Sequence, residues 1–146
     1  MQDNPVRILI IDDNPADVGL LKEALLEECP VCEITHLDNG ERAIDYLLRR
    51  GGYAERPIPE LIILDLNMPK LDGHEVLKTV QFTPELSGIA VTILSSSPHE
   101  MARAALLHPS RLFQKPFDLD AFLAVARDIL RQYRVSKAAG AGDRAT

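Results

Sequence analysis

The chain has 146 residues, which suits one domain with a single core, since domains run to about 150 residues. Hydrophobic residues make up 46% and charged residues 26%, and 16 Lys+Arg against 22 Asp+Glu leave a net charge of −6. That balance excludes nonspecific binding to a nucleic-acid backbone, which needs a basic face; no apolar run reaches the roughly 18 residues of a membrane helix, and the N-terminus lacks a secretion signal, so a cytoplasmic protein is expected.

Five short apolar runs alternate with helical patterns along the chain. Arg7–Ile11 is almost wholly aliphatic, as a strand buried on both faces should be. A helix is predicted over residues 16–28, then a strand over 31–37 and a helix over 41–50. Residues 51–60, with Gly51-Gly52 and Pro57-Ile58-Pro59, read as a long loop. A third strand follows at Leu61–Leu64, a helix at 73–81, a strand at 89–94, a helix at 99–107 and a weaker strand at Arg111–Gln114. The last helix, 119–134, is the clearest: Leu119, Phe122, Leu123, Ala126, Ile129, Leu130 and Tyr133 fall at helical spacing, and Asp118 stands at the N-cap position. Strand-helix alternation of this kind implies parallel strands, right-handed crossovers and helices on both faces, a doubly wound α/β sandwich.

Ligands of such sheets bind beyond the carboxyl ends of the strands, where strand order reverses. The first strand ends in Asp12-Asp13, the third in Asp65 with Asn67 following, the fourth in Ser95-Ser96-Ser97 and the fifth in Lys115-Pro116. Asp12-Asp13 alone would be explained as well by capping of the next helix, but capping does not explain polar groups at four strand ends together. Three converging carboxylates repel unless a cation joins them, and hard oxygen ligands of this kind suit Mg²⁺, with Mn²⁺ as the alternative. No Gly-x-Gly pattern follows the first strand, so a nucleotide cradle is not supported and no organic cofactor is expected. A Lys and a Ser hydroxyl beside metal-bound carboxylates form a phosphoryl-transfer site in which a carboxylate attacks.

Other features read more plainly. Cys29-Pro30-Val31-Cys32 spells a redox spacing, but it follows a helix and precedes a strand, the reverse of what thiol activation wants. His36, His74, His99 and His108 share no ligand spacing and read as surface or loop residues. The run Met101 to Leu107 is apolar nearly all round and stopped by Pro109, so a short helix there should be buried or pack on a partner.

The motifs Ile8-Leu9-Ile10-Ile11-Asp12-Asp13-Asn14, Leu64-Asp65-Leu66-Asn67-Met68-Pro69 with Asp72-Gly73, Leu94-Ser95-Ser96-Ser97 and Lys115-Pro116-Phe117 resemble those of a two-component response-regulator receiver domain, over about residues 6–134. The resemblance implies a flavodoxin-like five-stranded parallel sheet of order 2-1-3-4-5 with five helices, residues 1–135 forming the receiver domain and 136–146 a disordered tail. It implies that Asp65 is the phospho-acceptor and that Asp12, Asp13, Asp65 and the Asn67 carbonyl hold Mg²⁺. Ser95 would bond a phosphoryl oxygen, Lys115 would pair with the phosphate across a cis bond to Pro116, and Asn67 and Ser97 would flank the hydrolytic water. Partners would be a sensor histidine kinase or a phosphotransfer protein, with neither nucleic acid nor membrane. Asp13-Asn14-Pro15-Ala16-Asp17-Val18 and the 51–60 insertion resemble the single-domain regulators of bacterial phytochrome kinases, which implies a homodimer through the fourth and fifth helices and the fifth strand. Leu112 stands where the family often has an aromatic switch residue, with Phe113 beside it. Two other readings compete with this one. A phosphorylation-independent interaction module would leave the acidic pocket a remnant, and an aspartate-nucleophile phosphatase would need a general acid where Asn67 stands.

Overall fold

The computed structural model of the chain describes residues 5–66, 68, 73–107, 109 and 111–145. Strands β1 (Arg7–Ile11), β2 (Glu33–Leu37), β3 (Leu61–Leu64), β4 (Ala90–Ser95) and β5 (Arg111–Gln114) alternate with helices α1 (Pro15–Glu28), α2 (Gly40–Leu47), α3 (Gly73–Phe82), α4 (Pro98–Ala105) and α5 (Leu119–Ala145). The sheet is parallel throughout, in the order β2-β1-β3-β4-β5.

The aliphatic strands explain the layering. Successive side chains of a strand point to opposite faces, so a strand covered on both sides must be apolar at every position. Leu9, Ile11, Ile62 and Leu64 pack with Ala43, Leu47, Val76, Leu77, Val80 and Ala104 of α2, α3 and α4 on one face. Ile8, Ile10, Leu61 and Ile63 pack with Val18, Leu21, Leu25, Phe122, Ala126 and Ile129 of α1 and α5 on the other. Strand order reverses beside β1, which sends β2 to one side and β3 to the other and opens a crevice at their carboxyl ends.

Several boundaries differ from the sequence expectation for local reasons. β2 begins at Glu33 because the Cys32 N–H turns back to the Cys29 carbonyl at 3.0 Å, and Val31 is left exposed. α2 closes at Leu47, and Arg49 then takes φ 57°, a left-handed conformation that few side chains adopt. Within the 51–60 loop a 3₁₀ turn at Gly51–Tyr53 lets the Tyr53 ring lie against Tyr46, with centroids 5.3 Å apart. α5 does not stop near Arg134. It continues as helix past Ser136, where a loose tail is expected, because the alanines there favour helix and Lys137 reaches back to Glu60 Oε2 at 3.1 Å.

The expected cis bond at Pro116 is corrected: no peptide bond among the described residues is cis, so Lys115–Pro116 is trans. Trans is the intrinsically favoured state, by about 0.5–1 kcal/mol for a bond before proline, and Phe117, which follows, is 94% exposed. The Phe113 ring also cannot replace the absent aromatic at Leu112. The one-residue offset sends Leu112 to the face of α2, α3 and α4, and Phe113 to that of α1 and α5.

Candidate functional site

The site is assembled at the carboxyl ends of β1, β3, β4 and β5. Asn14, not either aspartate before it, caps α1: its Oδ1 accepts from Ala16 N at 3.0 Å and Asp17 N at 3.1 Å, with Pro15 opening the helix. The helix-capping explanation for Asp12-Asp13 therefore falls: Asp12 Oδ1 accepts from Asn14 N at 2.9 Å, and its other oxygen faces the cleft chemistry. Asp12 is fixed through its backbone, whose N–H donates to the Leu37 carbonyl at 3.2 Å. His36 Nε2 donates to the Asp12 carbonyl at 2.7 Å, so His36 is a half-buried brace between β2 and β1 and not a surface group.

Asp65 continues β3 and donates its N–H to the Ile11 carbonyl at 2.9 Å. Its position depends on Gly73. A Cβ at residue 73 would come within 2.4 Å of the Asp65 carbonyl oxygen and 2.7 Å of Leu66 Cα, so only glycine lets α3 start this close to the strand end.

Lys115 follows β5, its N–H bonded to the Ser95 carbonyl at 2.8 Å. Its Nζ lies 2.9 Å from Asp12 Oδ2, 2.9 Å from Asp17 Oδ2 and 3.4 Å from Asp65 Oδ2. Burial opposes the ammonium charge, but hydrogen bonds to Asp17 and Asp12 and the charge of Asp65 outweigh it and hold the lysine above its ordinary pKa. One ammonium thus ties three elements together. Asp13, Asp17, Asp65, Ser96 and Lys115 line a cleft of about 280 Å³ over this point.

One carboxylate oxygen from each of Asp12, Asp13 and Asp65 lies within 4.8 Å of the others. Three hard, anionic donors, two buried and one exposed, form a set that fits a hydrated divalent cation such as Mg²⁺ or Mn²⁺. Asn67, the further expected ligand, lies outside the described residues.

The serines do not all stand where expected. Ser95 is fully buried, its Oγ accepts from Ser97 N at 3.2 Å, and Ser96 is the serine that lines the cleft. The Ser97 hydroxyl caps α4 by accepting from Glu100 N at 3.2 Å. Two participants escape the sequence reading. Asp17 reads as an ordinary acid in the first turn of a helix, and its approach to Lys115 depends on the distant β5. His74 is buried, 3% exposed, and its Nε2 lies 2.7 Å from Glu100 Oε2, which joins α3 to α4. The His74 hydrogen bond, with Arg103 nearby, holds the Glu100 carboxyl below the usual range. The cysteines carry no sign of redox activation: Cys29 is buried and free, and burial, with Cys29 alongside, pushes the Cys32 thiol up to about 12.

Comparison with known proteins agrees with this geometry. The family pattern described as the response regulator receiver domain matches residues 8–127. The response regulator Rcp1 of Synechocystis sp. is 39% identical over 100 residues, which cover 68% of either chain. The crystal structure of the phosphorylated cyanobacterial phytochrome response regulator RcpA superposes with a TM-score of 0.84 at 32% identity, covering 90% of this chain and 96% of RcpA. The Mn²⁺-bound form of Rcp1 superposes with a TM-score of 0.78 at 33% identity, over 86% and 91% of the two chains.

Proposed function

The chain belongs to the response regulator receiver domain family, and from that premise we propose that it accepts a phosphoryl group on Asp65 from the phosphohistidine of a sensor histidine kinase or a phosphotransfer protein. The observation that carries this reading is the convergence of Asp12, Asp13 and Asp65 with the Lys115 ammonium at the carboxyl edge of the sheet.

An Asp65 carboxylate oxygen attacks phosphorus, the N–P bond to the donor histidine breaks, and the imidazole leaves with the bonding pair. Asp12 and Asp13, with Asp65, would hold Mg²⁺; the Asn67 carbonyl, which lies outside the described residues, would be the further ligand that the family resemblance implies. A divalent cation supplies positive charge against the transferring group, as receiver domains require at this acidic site. Lys115 supplies the second positive charge and is already 3.4 Å from an Asp65 oxygen. The aspartyl phosphate adds a charge of about −2, which creates charge-assisted hydrogen bonds absent beforehand. Ser95 Oγ, which accepts from Ser97 N, keeps its own O–H to donate to a phosphoryl oxygen, so a shift of Ser95 toward the phosphate acts on the residue that caps α4. Differential bonding of this kind biases a two-state loop and the surface of α4.

The pathway is that of a phytochrome-type kinase in the cytoplasm, a reading supported by the likeness to RcpA and Rcp1. A homodimer through α4, β5 and α5 is supported by Leu106, 78% exposed just after α4, beside a half-buried β5. The test is phosphotransfer from radiolabelled phytochrome-type kinases. Label should pass to the wild-type chain within the shortest times sampled and not to Asp65→Asn; equal labelling of the two would overturn the assignment.

A further inference from the structure

Asp17 has no place in the phosphoryl-transfer chemistry above, yet it makes one of the two shortest contacts to Lys115. Its Oδ2 is 2.9 Å from Nζ, as close as Asp12 and closer than Asp65 at 3.4 Å. It is also placed differently from them. Its side chain is 23% exposed, against 5% for Asp12 and 7% for Asp65, so it sits at the rim of the cleft. Its backbone is fixed by the Asn14 cap, which accepts the Asp17 N–H. Among the described residues, the carboxylates close enough to share a cation are Asp12, Asp13 and Asp65, without Asp17. Asp17 therefore holds the ammonium and not the metal.

We propose that Asp17 is a positioning residue that draws the Lys115 ammonium toward the mouth of the cleft, so that it is shared with the metal-binding carboxylates Asp12 and Asp65 and not held by them alone, and that Asp17 must release it when a phosphoryl group arrives on Asp65. The inference rests on the proposed phosphorylation of Asp65. An ammonium has three N–H donors, and here three carboxylates share them. A phosphoryl group on Asp65 needs one of these donors. The Asp17 pair is the most hydrated of the three and so the least costly to break. Without Asp17, the ammonium falls back on Asp12 and Asp65, which the divalent cation also uses. Loss of Asp17 thus has effects of opposite sign: the metal meets a stronger competitor, and the phosphoryl group meets a lysine with one claimant fewer.

The probes are Mn²⁺ alone, read by water-proton relaxation, and beryllofluoride at saturating Mg²⁺, read by fluorine NMR, on the full chain. Asp17→Asn should bind Mn²⁺ more weakly and beryllofluoride more tightly, each by up to about tenfold, the scale of one unit charge acting across a partly buried site. Asp17→Glu should return both toward wild type. In a Lys115→Met background, where no ammonium is left to hold, Asp17→Asn should leave Mn²⁺ affinity within about twofold; a persisting full effect would assign it to charge alone and overturn the proposal. So would shifts in one direction, or in only one of the two affinities. If wild type takes up no beryllofluoride, the phosphorylation reading itself fails. If wild type binds it and Asp17→Asn matches wild type, only the role of Asp17 fails.

Discussion

Lys115→Met tests the electrostatic account of the cleft most fully. The substitution keeps most of the side-chain volume and removes the one charge that Asp12, Asp17 and Asp65 share. The lysine side chain is 9% exposed, so its pairs with Asp12 and Asp65 are shielded from water. Breaking a buried pair costs about 3–5 kcal/mol through the carboxylates left uncompensated, whereas the better hydrated Asp17 pair adds less than about 1 kcal/mol. The open cleft lets water return, so a loss of about 3 kcal/mol is expected in chelator, which for a chain of this size lowers Tm by about 10 °C. A divalent cation should then stabilise the variant more than wild type, because no ammonium competes for the same oxygens. At a hundredfold excess over its Kd the cation contributes about 2.7 kcal/mol, enough to recover most of the loss. Thermal or urea unfolding followed by circular dichroism, in EDTA and in Mg²⁺, measures both quantities. A variant within about 0.5 kcal/mol of wild type in EDTA, or equal metal stabilisation of the two proteins, would refute the reasoning.

Gly73→Ala forces a Cβ against the Asp65 carbonyl, so it should unfold at clearly lower urea and label more slowly with acetyl phosphate than wild type. Wild-type behaviour in both would show that α3 can retreat without disturbing the strand end. His74→Ala removes a buried ring and its bond to Glu100, and should lower stability by about 2 kcal/mol in urea unfolding; no change would mean that the α3–α4 link is not formed in solution. Partial burial opposes charge on Glu60, but the Tyr133 hydroxyl at 2.7 Å and Lys137 at 3.1 Å outweigh it and lower its pKa. Since the folded value lies below the ordinary 4.5, the stabilisation is complete above that pH and disappears as pH falls through the folded value. Glu60→Gln should therefore flatten the dependence of Tm on pH below about 4.5 and leave neutral behaviour little changed in slope; an unaltered acid limb would contradict the pairing.

The legible part of this protein lies in its sheet. β3 is aliphatic at every position and β1 at every position after Arg7 because helices cover both faces, so their ends, and with them Asp12, Asp13 and Asp65, are marked by the abrupt change to acid. Lys115 is marked less sharply, because β5 before it is Arg111-Leu112-Phe113-Gln114, with polar residues at both ends. What escaped depends on contacts between distant segments. Asp17 looks like any acid in the first turn of a helix, and its meeting with Lys115 is set by how α1 and β5 pack. His74 and Glu100 lie on different helices, and no spacing rule links them. The Ser95 hydroxyl is directed by a torsion, which residue identity does not fix, toward Ser97 N and not into the cleft. Metal and lysine compete for the same few oxygens, so the geometry of these contacts matters more than the charge count.

Asp65 stands as the nucleophile in the proposed chemistry of this receiver site. The most direct measurement is intact-mass spectrometry, with mapping of the modified peptide, after incubation with acetyl phosphate and Mg²⁺. One added phosphoryl group is expected, located on Asp65, absent from Asp65→Asn and absent when EDTA replaces Mg²⁺. An unmodified wild-type chain, or a phosphoryl group on another residue with Asp65→Asn labelled as well as wild type, would contradict it.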